Sequence, residues 1–158
     1  MRWIHLVAVS VLLTLTVAAV AQEGAPETPA ADAAPPATVA DPAAAADAFF
    51  ATQLDEEGWR DAVGTLVAGT LVERTTPQAA DRLIEGMAAV RQALGVPGGF
   101  ERLADEAHGE RIRRLTYLVH YGEKPLFWEL FFYRPPGEEG WSLLNAQYDS
   151  FTRLRDEG

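Results

Sequence analysis

Two runs decide how this chain is read: residues 111–121 (RIRRLTYLVHY) and residues 126–134 (LFWELFFYR). Both are crowded with β-branched and aromatic side chains and are bounded by Gly109, Gly122 and the Pro135-Pro136-Gly137 turn. They therefore read as strands of one antiparallel hairpin joined through residues 122–125. Placing Tyr121 opposite Leu126 sets Val119 against Trp128, Tyr117 against Leu130 and Leu115 against Phe132, an entirely apolar face. The other face then carries His120 with Phe127, Leu118 with Glu129, Thr116 with Phe131 and Arg114 with Tyr133. A slip of one residue would turn Glu129 inward, so the faces are strongly specified.

Working outward, residues 100–108 form a weaker, polar strand that suits a sheet edge, and residues 141–151 form a fourth strand. Of the 15 aromatic residues, ten lie between Tyr117 and Phe151, so the sheet carries most of the core. The last strand allows two parities. If Phe132 faces Leu143, then Asn145 and Gln147 enter the covered side opposite Leu130 and Trp128. The other parity buries Leu144, Ala146 and Tyr148 and leaves Asn145 and Gln147 outside.

Upstream the period changes from two to that of a helix. Asp41-Pro42 is a helix-start pair, followed by Ala46, Phe49, Phe50 and Leu54 at helical spacing. A second stripe runs Trp59, Ala62, Val63, Leu66 and Val67, weakened at its end by Gly64 and Gly69. The third predicted helix has Thr76 as cap and Pro77 in its first position. Its stripe is Ala80, Leu83, Ile84, Met87, Val90 and Leu94, and Gly95 closes it. Three helices followed by a meander give an α+β class, with the helices packed on a curved four-stranded antiparallel sheet.

This order of elements resembles the nuclear transport factor 2-like superfamily, the cystatin-like α+β roll that also contains ketosteroid isomerase. The closing strand GWSLLNAQYDSF, the aromatic strand FWELFFYRPP and the preceding RLTYLVHY carry the resemblance, over about residues 41–153. More narrowly, the chain looks like small exported members of that superfamily with no assigned activity. The resemblance implies a helix-covered cavity open at one end. It does not carry isomerase activity across, because no catalytic position of that enzyme is matched here and fold alone does not assign function.

The first 21 residues, MRWIHLVAVSVLLTLTVAAVA, pair Arg2 with an apolar run ending in Ala19-Val20-Ala21. This is the pattern of a cleaved export signal, with Gln22 as the new N-terminus. The alternative, an uncleaved anchor, is at the short limit for crossing a bilayer. Residues 22–45 hold ten Ala and five Pro among 24, with Val39 as the one large aliphatic. They read as an extended linker with too little to bury to offset its ordering entropy. The folded domain is expected over residues 46–155, with its first helix starting near Asp41-Pro42. The destination is the periplasm or the exterior.

The formal net charge is −10 over 158 residues, which argues against a nucleic-acid partner. Cysteine is absent, so there are no disulfides, thiolate metal sites or cysteine nucleophiles. His108 and His120 have no companion ligands at metal-binding spacing, and no cofactor is expected. Arg111, Arg113 and Arg114 read as cross-strand partners of nearby acids. Glu129 reads as outward-facing, paired with Arg114 or His120. The chain is thus expected to be an exported, non-enzymatic domain. It would bind a small apolar ligand through Tyr117, Trp128, Asn145 and Gln147, or a protein partner or second copy through Phe127, Phe131 and Tyr133. The alternative is a small lyase or isomerase using the same cavity. With the signal removed, no membrane association is expected.

Overall fold

The computed structural model describes residues 35–122 and 124–150. The segment expected to be an export signal, the expected linker up to residue 34 and residues 151–158, Phe151 among them, lie outside the described residues. Within them the class is α+β: four helices followed by one four-stranded antiparallel sheet. The helices are α1 (Pro42–Gln53), α2 (Trp59–Val67), α3 (Leu71–Thr75) and α4 (Ala79–Leu94). The strands β1 (Gly99–His108), β2 (Ile112–Tyr121), β3 (Lys124–Tyr133) and β4 (Ser142–Ser150) follow one another across the sheet, so β1 is an edge.

Helix α1 starts as its sequence dictates. The Asp41 carboxylate accepts the Ala43 amide at 2.9 Å and Pro42 occupies the first turn. The fold begins earlier than a linker over residues 22–45 would allow. Val39 forms an antiparallel bridge with Trp141, its amide donating at 2.7 Å and its carbonyl accepting at 2.8 Å. The Ala37 amide donates to the Gly69 carbonyl at 2.8 Å. Val39, the one large aliphatic of the Ala/Pro tract, also packs against the core. Gly140 makes room for this strap, because a Cβ there would lie 2.6 Å from the Thr38 Cβ.

Four helices stand where three were expected. The added one, α3, spans five residues and draws its support from distant chain. The Leu71 amide donates to the Ser142 hydroxyl of β4 at 3.0 Å, a partner 71 residues away. Gly69 turns the chain at φ +70°. Thr76 consequently ends α3, its amide donating to the Val72 carbonyl, and α4 starts at Ala79 rather than at Pro77. Gly95, at φ +86°, closes α4 as its position suggests.

The sheet faces agree with the alternation, but the hairpin is two residues tighter than expected. Tyr121 pairs with Lys124, so Val119 faces Leu126, Tyr117 faces Trp128, Leu115 faces Leu130 and Arg113 faces Phe132. On the other face His120 meets Pro125, Leu118 meets Phe127, Thr116 meets Glu129, Arg114 meets Phe131 and Ile112 meets Tyr133. Gly122 at φ +56° permits a short reversal. Pro125 is tolerated in the ladder because it stands at the start of β3. A shift of two preserves every side-chain face. Leu115, Tyr117, Val119, Tyr121, Leu126, Trp128, Leu130 and Phe132 are all buried. Helix α1 covers this inner face through Phe49 and Phe50, and α4 reaches β4, where a Cβ on Gly86 would overlap the Tyr148 hydroxyl.

Candidate functional site

The inner face of the sheet has a closed end and an open end. At the closed end Trp128 is 1 % exposed. Its ring meets those of Tyr148 at 4.9 Å, Phe50 at 5.6 Å and Phe49 at 5.8 Å. Tyr117 lies 4.4 Å from the Phe50 ring, and its hydroxyl donates to Asp47 of α1 at 2.6 Å. Burial first, and then the Asp47 carboxylate, push the Tyr117 phenol well above its ordinary pKa. Arg102 of β1 lies 3.7 Å from the same carboxylate. Tyr117 and Trp128, two of the expected ligand contacts, are therefore spent on core packing.

Both parities weighed for β4 occur, one on each side of a bulge. Phe132 does pair with Leu143, and Leu143 is buried. The register then shifts, so Phe131 meets Asn145, Leu130 meets Ala146, Glu129 meets Gln147 and Trp128 meets Tyr148. Leu144 is the inserted, exposed residue. The bulge turns Ala146 and Tyr148 onto the core and leaves Asn145 and Gln147 exposed on the outer face. Neither enters a covered cavity beneath Trp128. Gln147 instead donates to Glu129 at 2.8 Å.

Phe127, Phe131 and Tyr133 lie half-buried on the outer face of β3. Glu129 is also there, 3.5 Å from Arg114, which in turn bonds Glu106 at 2.5 Å. Arg113 stands on the inner face and grips Asp105 with two bonds of 2.6 Å, reaching Asp41 at 3.4 Å. The bidentate guanidinium holds the Asp105 carboxyl below its usual range. Arg113 and Arg114 are thus committed to acids of the same molecule. Among the described residues no group of three or more His, Asp or Glu side chains is placed to hold a metal ion.

The open end holds a cavity of about 690 Å³ between the strap, α1, α2 and the ends of β3 and β4. Val39, Phe49, Leu66, Phe132, Trp141 and Leu143 supply its large apolar surfaces. Helix α1 presents Ala45 and Ala48 where bulky side chains would have filled it. Its polar groups are few: threonine hydroxyls and one carboxylate, Asp61. Thr52 donates its hydroxyl to the Ala48 carbonyl at 3.0 Å, and Thr70 to the Val67 carbonyl at 2.6 Å. The volume and apolar wall are those of a small-molecule site.

None of Tyr117, Trp128, Asn145 or Gln147 lines this cavity. Most of the residues that do are alanines and threonines, types that carry no chemical signature in a sequence. One sign was present in α1, whose sequence PAAAADAFFATQ carries its only bulk at one end. Comparison with family models, with curated proteins and with solved structures returns no match to this chain.

Proposed function

We propose that this chain is an exported, non-enzymatic domain that binds a small apolar ligand in the cavity between the strap, α1 and α2. The cavity itself carries the proposal, because about 690 Å³ of largely apolar space opens beside a core that is elsewhere tightly filled. The finer fold reading goes with it: a cystatin-like roll of the nuclear transport factor 2-like type. Four helices preceding a β1-β2-β3-β4 meander, with α1 on the inner face, support that reading. Export rests on the signal-like first 21 residues.

The isomerase or lyase alternative would need an acid or base and stabilising donors inside the site. Asp61 is the one carboxylate in the cavity wall and stands exposed, without the enclosure such chemistry uses. A partner surface on the outer face has its own support in half-buried Phe131 and Tyr133 beside Ile112.

Titration with the neutral dye Nile red tests the ligand reading. Saturable fluorescence enhancement is expected, and it should vanish in Ala48→Trp, where an indole occupies the cavity mouth. Absence of saturable binding, or binding unchanged in Ala48→Trp, overturns the proposal.

A further inference from the structure

The polar groups of the cavity wall have a bias that defines the head group of the ligand. Thr52 and Thr70 spend their hydroxyl protons on backbone carbonyls and keep only lone pairs to offer. Asp61 adds an acceptor-only carboxylate and is the one charged residue of the wall. No hydrogen bond or ion pair engages it among the described residues. Among the described residues no arginine or lysine lines the cavity, and three arginines of the helices have other partners. Arg60 stacks on the Trp59 ring at 4.4 Å, and Arg91 donates to the carbonyls of Gln53 and Asp55 at 2.9 Å. Arg74 donates to the Pro35 carbonyl at 2.8 Å. Asp61 stands in the first turn of α2, where the helix dipole favours a carboxylate. Its exposed carboxylate also borders the apolar cavity, where a cationic group of a bound ligand can reach it.

Thr38 and Thr65 add two neutral hydroxyls, so the one charge on the wall is the Asp61 carboxylate, and a wall with an unpaired anion and no cation is complementary to a ligand that carries positive charge. The net charge of −10 adds a long-range preference of the same sign. We infer that the cavity takes a cationic amphiphile, an apolar body bearing an ammonium group, with the ammonium at Asp61. This rests on the ligand-binding reading above and adds the head-group class. An ionised fatty acid, the usual occupant of an apolar cavity with a basic rim, would meet a like charge here.

Calorimetric titration of the full chain with decylamine, decanol and decanoate at neutral pH separates the two claims. Decylamine should bind about fivefold more tightly than decanol, the size of one exposed ion pair. Decanoate should bind more weakly than decanol. In Asp61→Asn the amine and the alcohol should become equivalent while decanol affinity stays as it was. Equal binding of amine and alcohol in the unaltered chain, or a preference for decanoate, overturns the head-group assignment and leaves the cavity reading standing. An amine preference that survives in Asp61→Asn places the cation somewhere other than Asp61 and overturns the assignment too. Failure of all three decyl compounds to bind removes the ligand-binding reading itself, and this inference with it. Amine binding that persists in Ala48→Trp marks adsorption outside the cavity and counts against both.

Discussion

Helix α1 faces both ends of the same sheet surface and treats them in opposite ways. Toward Trp128 and Tyr117 it presents Phe49 and Phe50, whose rings fill the space to van der Waals contact. Toward Phe132, Trp141 and Leu143 it presents Ala45 and Ala48, and a cavity remains. Both ends are apolar, so hydrophobicity does not separate them. Volume does. A protein interior is filled to crystal-like density where side chains interdigitate, and a void persists only where small residues meet a wall that cannot collapse. Here the wall is held by the Val39–Trp141 bridge on one side and by the Leu71–Ser142 bond on the other. The closed end holds the fold together, and the open end has a shape that a ligand can use.

The contrast breaks most severely at Trp128. Replacing it by alanine removes an indole that is 1 % exposed, and a loss of ~3–5 kcal/mol is expected from urea denaturation. A loss below ~1 kcal/mol would mean that the closed end has slack of its own.

Tyr117 sharpens the contrast through pH. Tyr117→Phe removes the hydroxyl bonded to Asp47, at an expected cost of about 1.5 kcal/mol near neutral pH. The sign of the pH effect follows from the raised phenol pKa. Above about pH 10 an unfolded tyrosine ionises, whereas folded Tyr117 keeps its proton. The unfolded state then binds fewer protons, so stability falls as pH rises. The Phe variant should lose less stability than the parent between about pH 10 and 11.5. Some slope will remain, because burial also raises the phenols of Tyr121 and Tyr148. Denaturation midpoints at the two ends of that window decide the matter. Identical slopes in the two proteins would show that Tyr117 ionises freely in the fold.

How much of this could be read from the chain differs in the same way between the two ends. The closed end was legible because its residues are large and alternate: the sheet faces, the edge position of β1 and the cap at Asp41 all follow from side-chain type and period. The two-residue error in the β2–β3 register left that reading intact, since strand faces repeat every second residue. The open end was not legible. Its strap depends on a pairing of Val39 with Trp141 across about a hundred residues, and α3 on a hydroxyl from β4. The bulge at Leu144, which sends Asn145 and Gln147 outward, sits in a run of residues with no glycine to mark it. Tertiary partners set these features, and periodicity carries no trace of them.

A smaller effect is expected at Gly86. In an unobstructed helix interior, Gly→Ala stabilises by about 0.5–1 kcal/mol. At this position the new Cβ would overlap the Tyr148 hydroxyl, so Gly86→Ala should instead destabilise by about 1 kcal/mol. Tyr148→Phe removes the obstructing oxygen and should restore the ordinary helix gain. Thermal melts of the two single variants and the double variant give the coupling directly. Additive effects would mean that α4 and β4 do not pack closely there.

The least perturbing substitution should be the bulkiest. Ala48→Trp places an indole on an exposed position of α1 that borders the open cavity. The helix-propensity cost of replacing alanine by tryptophan is about 0.5 kcal/mol. Part of the ring would lie over the apolar wall formed by Phe132, Trp141 and Leu143, and burial of that area offsets the cost. The net change in stability is therefore expected within about 0.5 kcal/mol of zero. Nine additional ring atoms at the open end should thus cost less than one methyl group at Gly86. The comparison needs only two denaturation curves against the parent chain. If Ala48→Trp proves as destabilising as a core overpacking variant, by about 2 kcal/mol or more, the space beside α1 is already filled in solution. The two ends of the inner face would then be equally closed, and the case for a ligand there would fall with the difference between them.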